Sequence, residues 1–453
     1  MKVEFVGQSA RDTAFPAANP SRLINAYREP MVGGGRSPAL LRAVPGMAEL
    51  ATVGTVFMRS MMGWNGKLLA IVGANLYSIT TAGVVTLAGA VGSTDSICGL
   101  SQSTGYAVAV AGRKYWTWNG TTLTDVTSGA GTGAVTLPSS VAYLGGYVIV
   151  SQYNSRVFSW SHLADPTTFS GLDFASAEIT DKPIIRLVAF KDTLYIFKEG
   201  GFEIWAVSGL SGPDAFQKVS GALEEPGLLD FALVVTFPNG LAFVGSDGRV
   251  YLYGIGPISI PPVETAISTE TPVGMFYYEQ RGHGFICLTF RNSAAWCYDV
   301  ATGEWHEREQ DGAAWAARAA VKVDGSWYVG TDSGKIATLS TSCQDFGNPL
   351  PRRYVSRTLD EGLIRISSIE AFPRIAGDVQ GDGDETEAKL ALRTSRDGIN
   401  FGSPKIRGVG LVGEYDQRLV WRELGQFRRA TIEISQSSVT DVPLLAAINL
   451  VVA

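Results

Sequence analysis

Leu68-Leu69-Ala70-Ile71-Val72-Gly73-Ala74-Asn75-Leu76-Tyr77 is an apolar run, a short turn, and a second run that ends on an aromatic ring. The same device restarts at Ala107, Val148, Leu194, Leu241, Phe285 and Trp327, at offsets of 39, 41, 46, 47, 44 and 42 residues. A repeat of that length is what a four-stranded propeller blade needs. In the later copies the second run is Trp116-Thr117-Trp118, Val157-Phe158-Ser159-Trp160, Phe202-Glu203-Ile204-Trp205, Val250-Tyr251-Leu252-Tyr253, Trp296-Cys297-Tyr298 and Ile336-Ala337-Thr338-Leu339. Two adjacent strands per copy can therefore be read directly.

Between the runs stand Gly112-Arg113, Gly200-Gly201, Asp247-Gly248 and Asp332-Ser333-Gly334. Such residues supply positive φ or an Asx turn at low cost, so each pair of runs is a hairpin. First runs are lean and continuously apolar, whereas second runs carry the large rings, as a wedge widening away from an axis requires. Burial on both faces by neighbouring blades explains the missing polar alternation. The expected fold is all-β: a seven-bladed β-propeller with an N-terminal extended arm and a small C-terminal β-sandwich. A sandwich with fortuitous spacing is the competing arrangement.

Composition fits a turn-rich β protein, with 52 Gly and 20 Pro in 453 residues and only 18% charged residues. Residues 1–47 are punctuated by Pro and Gly and lack periodicity, which predicts an extended arm packed along something larger. The propeller is expected over 48–343, with the stretch 48–56 adding a strand that closes the last blade and hides its edge. Strands near 363–372, 388–395, 418–424, 428–435 and 444–452 predict a separate C-terminal β domain over 344–453. Long connections at 163–182 and 256–272 are expected to project from the rim as contact loops.

A net charge of -6 argues against nucleic-acid binding, which calls for a basic stripe. The longest apolar stretches are about half of a membrane span. Residues 1–5 have no signal-peptide apolar region, so the product is expected to remain in the cytoplasm that makes it. Cys98, Cys287, Cys297 and Cys343 form no CxxC pair and have no His at ligand spacing, so they read as buried thiols. Cys287 and Cys297 fall on adjacent strands of one blade, where they can face each other. His162, His283 and His306 are scattered, and no Ser or Cys is tied to any of them as a triad. No catalytic residue, cofactor site or metal site is assigned. The acidic loop at 378–387, with Asp378, Asp382, Asp384, Glu385 and Glu387, offers calcium-type ligands without the helical-loop spacing and reads as a solvated hairpin tip.

Thr394-Ser395-Arg396-Asp397-Gly398-Ile399-Asn400-Phe401 has the form of an Asp-box hairpin, in which Ser and Asp side chains bond the turn backbone. Arginines gather in the last domain. At Arg418, Trp421, Arg422, Arg428 and Arg429 they alternate with aromatics, and these five residues are the candidate partner interface, because Arg and Trp are enriched at contact hot spots. A solvated strand face whose Arg stems cover Trp421 is the alternative.

The segment 394–401, followed by Tyr415, Arg418, Trp421, Arg422, Gly425 and Arg428-Arg429, resembles the C-terminal region of the packaged-DNA stabilization protein, or tail hub, of short-tailed phages. Two further pieces resemble that family in the same order. They are Asn25-Ala26-Tyr27 with Leu41-Arg42-Ala43-Val44-Pro45-Gly46, and Trp296-Cys297-Tyr298-Asp299-Val300 leading to Gly303-Glu304-Trp305. The resemblance implies a structural virion component, not an enzyme. Copies, six in that family, would form a ring below the portal and its adaptor, hold the tail needle or plug, offer surfaces to a tailspike or fibre, and pass DNA without reading its sequence. Its location would be the virion tail, assembled in the host cytoplasm. Two rivals remain: a glycan-binding or sialidase-like propeller, which needs clustered arginines and a Tyr at the mouth of the ring, and a Kelch-type scaffold, which needs a Gly-Gly doublet in every blade.

Overall fold

The computed structural model describes residues 2–4, 20–31, 37–92, 97–127, 136–310, 312–360, 362–374, 388–410, 417–445 and 447–452. Seven antiparallel sheets follow one another as blades 1 to 7, over 58–90, 99–125, 138–176, 184–224, 234–257, 274–310 and 317–340. The runs read from the sequence are the second and third strands of each blade, for example Lys67–Val72 with Asn75–Thr80, and His283–Thr289 with Ala295–Asp299. Every residue of His283–Thr289 is buried. Gly73, Gly112, Gly248 and Gly334 take positive φ, as their hairpin turns require.

The first strands pack side by side round an axis. Contacts run from Met58–Trp64 through Gly99–Ser103 and Pro138–Leu144 to Ile184–Phe190, and from Val234–Phe237 through Gly274–Gln280 to Ala317–Val323, which returns to Met58–Trp64. Between blades 4 and 5 Arg186 joins the seam, its Nη1 donating to Phe231 O at 2.7 Å. Blade 7 supplies only three strands of its own. Gly46–Thr52 completes it, antiparallel to Lys335–Ser340, so the edge is covered by chain from the opposite terminus.

The segment expected to pack along something larger finds that body in its own chain. Arg22–Ile24 pairs parallel with blade 6 through Ile24 and Glu307, and antiparallel with Arg352–Val355 on its other side. From there the sheet continues through Thr431–Gln436 and Lys389–Ser395 to Lys405–Gly408. A facing sheet contains Lys2–Glu4, Ala447–Val452, Ile364–Ala371 and Leu419–Phe427. Leu23, Tyr354, Ile366, Ile369, Leu392, Trp421, Ile432 and Ile434 fill the space between them. One ten-stranded sheet therefore runs from the propeller axis through blade 6 into the C-terminal sandwich.

Both connections expected as projecting loops are ordered elements. Asp165–Ser176 is the fourth strand of blade 3. Pro261–Thr269 is an α-helix that starts on two prolines, as a first helical turn tolerates, and buries Val263 and Ile267 against blades 5 and 6.

Candidate interaction surfaces and the propeller–sandwich junction

The junction is built around Arg22, Asn25 and Asp441. Arg22 grips Glu307 of blade 6 with two bonds, Nε to Oε1 at 2.7 Å and Nη2 to Oε2 at 2.5 Å. Glu307 is almost wholly buried, so its charge depends on that fork. Asn25 sits in the left-handed region at φ 55°, which Asn tolerates better than most residues. Its amide donates to Pro351 O at 2.8 Å and its carbonyl accepts from Glu309 N at 3.0 Å, tying three parts of the chain together. Asp441 receives Arg281 of blade 6 at 2.6 Å and Arg42 of the N-terminal hairpin at 3.5 Å. Arg308, fully buried, donates to Pro45 O at 2.6 Å and lies 3.7 Å over the Trp315 ring. Burial pushes the Asp345 carboxyl upward, while Arg308 and the Met47 amide pull it back.

The five interface candidates divide. Trp421 has no exposed surface; its indole donates to Lys405 O at 2.7 Å inside the sandwich. It is a core residue, and its alternation with arginines is that of a strand with one face inward. Arg418, Arg422, Arg428 and Arg429 are exposed. Arg418 pairs with Glu370, and Arg429 lies 2.9 Å from Asp360. The Asp-box hairpin forms as read: Ser395 Oγ accepts from Gly398 N at 2.9 Å, and Asp397 accepts from Ile399 N and Asn400 N. Those amide bonds hold the Asp397 carboxyl well below the usual carboxylate range. The acidic loop at 378–387 lies outside the described residues.

Arginines that the sequence reading overlooked reach the axial channel. A cavity of about 410 Å³ there is lined by Arg59, Arg186, Arg318, Lys322 and Tyr277 among apolar residues. Two of these guanidiniums bond backbone carbonyls at blade seams: Arg59 to Gly73 O and Ile97 O, and Arg186 to Phe231 O. Burial lowers the Arg186 pKa to about 10. The Tyr277 phenol donates to Glu279 Oε1 at 3.1 Å. Burial and Glu279 push its pKa up to about 12, the reverse of an activated nucleophile.

His162 is exposed, while His283 and His306 are buried on adjacent parts of blade 6. Among the described residues no group of three or more His, Cys, Asp or Glu is placed to hold a metal ion. His283 Nδ1 lies 2.7 Å from Asp299 Oδ2, and that bond raises the imidazole pKa against its burial. A raised folded pKa adds stability that is full below the ordinary value of 6.5 and is lost as pH rises through the folded value. The denaturation midpoint is therefore expected to fall over that alkaline-going window, and His283→Gln to flatten the fall. An unaltered pH profile in the variant would contradict this assignment.

Comparison with known protein families places these features. The family described as "Bacteriophage P22 Gp10, beta-propeller" matches residues 6–344, and "Bacteriophage P22 Gp10, beta-sandwich" matches residues 361–432. The chain belongs to the bacteriophage P22 Gp10 family. It is a structural phage tail protein of that family, with its propeller and its sandwich. No curated protein sequence matches it. Solved structures are similar only at a distance. A computationally designed protein, Ika8, is 11% identical at TM-score 0.39, covering 71% of this chain and 99% of its own. The Pan2 WD40 domain of Neurospora crassa is 8% identical at 0.43, covering 65% and 95%. The extracellular domain of the putative hybrid two component system BT4673 from B. thetaiotaomicron is 10% identical at 0.45, covering 65% and 39%. Similarity at this level carries no argument about function.

The stretches that resemble the P22 Gp10 family now have physical roles. Asn25 bridges blade 6 to Pro351, and Tyr27 packs on His283 and Phe285 at ring distances of 5.0 and 5.1 Å. Pro45 accepts from Arg308, and Gly46 opens the closure strand. Trp305 donates to Ile258 O at 2.8 Å, pinning the segment before the helix, and Glu304 receives Arg28 at 3.0 Å. These residues therefore cluster at ring closure and at the junction rather than at a cleft.

Proposed function

We propose that this chain is the hub of a short-tailed phage tail, assembling as a homohexameric ring below the portal and its adaptor. There it plugs the filled capsid, holds a tail needle or spike at the centre, and forms the conduit for genome ejection. The observation that carries this reading is the sheet running unbroken from blade 6 into the sandwich, reinforced by Arg22–Glu307 and Arg281–Asp441. A plug under pressure from packaged DNA needs a body that transmits load without hinging, and a closed ring welded to its second domain is such a body. The net charge of -6 suits a wall along which DNA slides without being held. Exposed Arg418, Arg422, Arg428 and Arg429 on the sandwich supply a surface for the adaptor, a neighbouring copy, or a tailspike or fibre. Assembly takes place in the host cytoplasm before release.

The glycan-cleaving alternative is less well supported by the axial channel, where Arg59 and Arg186 bond backbone carbonyls and the Tyr277 phenol donates to Glu279. The test is infection with the gene for this chain disabled. Filled heads that leak DNA, and that keep it when purified chain is added, are the expected result. Stable infectious particles without the chain would overturn the proposal, as would hydrolase activity on host glycans in place of any effect on DNA retention.

A further inference from the structure

Blade 6 sets two cysteines against each other, Cys287 on its second strand in register with Cys297 on its third. Their sulfurs are 2.9 Å apart, and both side chains are wholly buried. They lie among Phe276, Phe285, Val329 and Ala337, in the seam between blades 6 and 7. The ladder fixes the kind of pair they make. Val300 N donates to Gly284 O at 2.8 Å, so 284 and 300 are a hydrogen-bonded pair. Alternation along antiparallel strands then makes 287 and 297 a non-hydrogen-bonded pair, whose Cα atoms stand about 4.5 Å apart. That spacing is inside the span of about 4.4–6.8 Å that a disulfide bridges. His306 is next across the sheet, opposite Cys297 on the fourth strand, its Nε2 buried without a hydrogen-bond partner among the described residues; against burial, Cys287 and His306 lower the Cys297 thiol pKa.

We propose that Cys287 and Cys297 are a site of covalent modification, closing to a cross-strand disulfide when the protein meets a peroxide. The Cys297 sulfur gives its proton to His306 and attacks the O–O bond as a thiolate. This forms a sulfenic acid and expels hydroxide, which leaves as water after taking the proton back from His306. The Cys287 sulfur then attacks the sulfenic sulfur, forming the S–S bond and releasing a second water. Two thiols are oxidised and one hydrogen peroxide is reduced to two waters. No new backbone path is needed, because the two residues already face each other. The bridge staples the second and third strands of the blade whose fourth strand leads into the sandwich, and so adds a covalent tie at the base of the junction. Cys98, on the axial cavity, and Cys343, beside Arg352, lie on other elements.

This site goes beyond the tail-hub reading and holds whatever the chain assembles with. The test is exposure of the purified full chain to hydrogen peroxide, followed by alkylation in denaturant with and without reduction and by peptide mass mapping. The expected result is a loss of two hydrogens and one cystine joining Cys287 to Cys297. The bridge should persist in the Cys98→Ser/Cys343→Ser double variant and be absent from Cys297→Ser. Four alkylatable thiols after oxidation, a cystine that includes Cys98 or Cys343, or oxidation to sulfinic acid without an S–S bond would each overturn the proposal. The map of the natural sequence decides the matter even if the serine variants fail to fold.

Discussion

Gly46→Ala is expected to destabilise the protein by about 3 kcal/mol or more and to leave the propeller ring open. A Cβ at Gly46 would stand 2.1 Å from Gln344 O and 2.5 Å from Ser342 O. Both are backbone atoms, so no side-chain rotation relieves the clash, and the strand that completes blade 7 must move away from its neighbours. The adjacent contacts would suffer with it: Gly46 N donates to Ser342 O at 3.0 Å, and Met47 N donates to Asp345 Oδ1 at 2.9 Å. Backbone amides of Lys335–Ser340 should become exchangeable, because their cover comes from Gly46–Thr52. Denaturation midpoints and hydrogen exchange measure both effects. A variant with native midpoint and protected blade-7 amides would show that closure does not depend on this close approach.

Arg22→Ala is expected to cost about 3–5 kcal/mol, because it leaves the Glu307 carboxylate buried without its counter-charge. The loss should be specific in place. Since Arg22–Ile24 is the strand shared by blade 6 and the sandwich, the single unfolding transition should split into two, and cleavage sites should appear between propeller and sandwich. Arg22→Lys should recover only part of the stability, since an ammonium cannot reproduce the two-bond fork. A single unshifted transition in Arg22→Ala would mean that sheet pairing alone holds the two bodies together.

Half of each blade was legible in the sequence, for a physical reason. Second and third strands are buried on both faces and therefore read as apolar runs, whereas the first strands line the axial channel, are only partly buried, and carry mixed residues such as Gly99-Leu100-Ser101-Gln102-Ser103. Outer strands can be as short as Leu123–Asp125 and leave no pattern at all. The closing strand was within reach because its position ahead of the first blade is dictated by the need to hide an edge. The role of Arg22–Ile24 was not, since three residues in a Pro- and Gly-rich segment give no periodicity and their partners lie some three hundred positions away. At the surface, Arg418, Arg422, Arg428 and Arg429 are exposed, as either reading of that segment requires, whereas Trp421 is buried, and the sequence left its side open because a tryptophan among arginines reads alike as an interface anchor or as the inward face of a strand. The axial arginines were missed because each stands alone in its own blade, and only ring closure brings Arg59, Arg186 and Arg318 to one cavity.

The tail-hub account is tested most directly by electron cryo-microscopy of the full chain mixed with its portal-adaptor ring. The account predicts a ring of copies bound beneath the adaptor, each copy a seven-bladed toroid with its sandwich held in one fixed orientation. A chain that stays monomeric beside intact adaptor rings, or a sandwich that swings freely on the propeller, would contradict it.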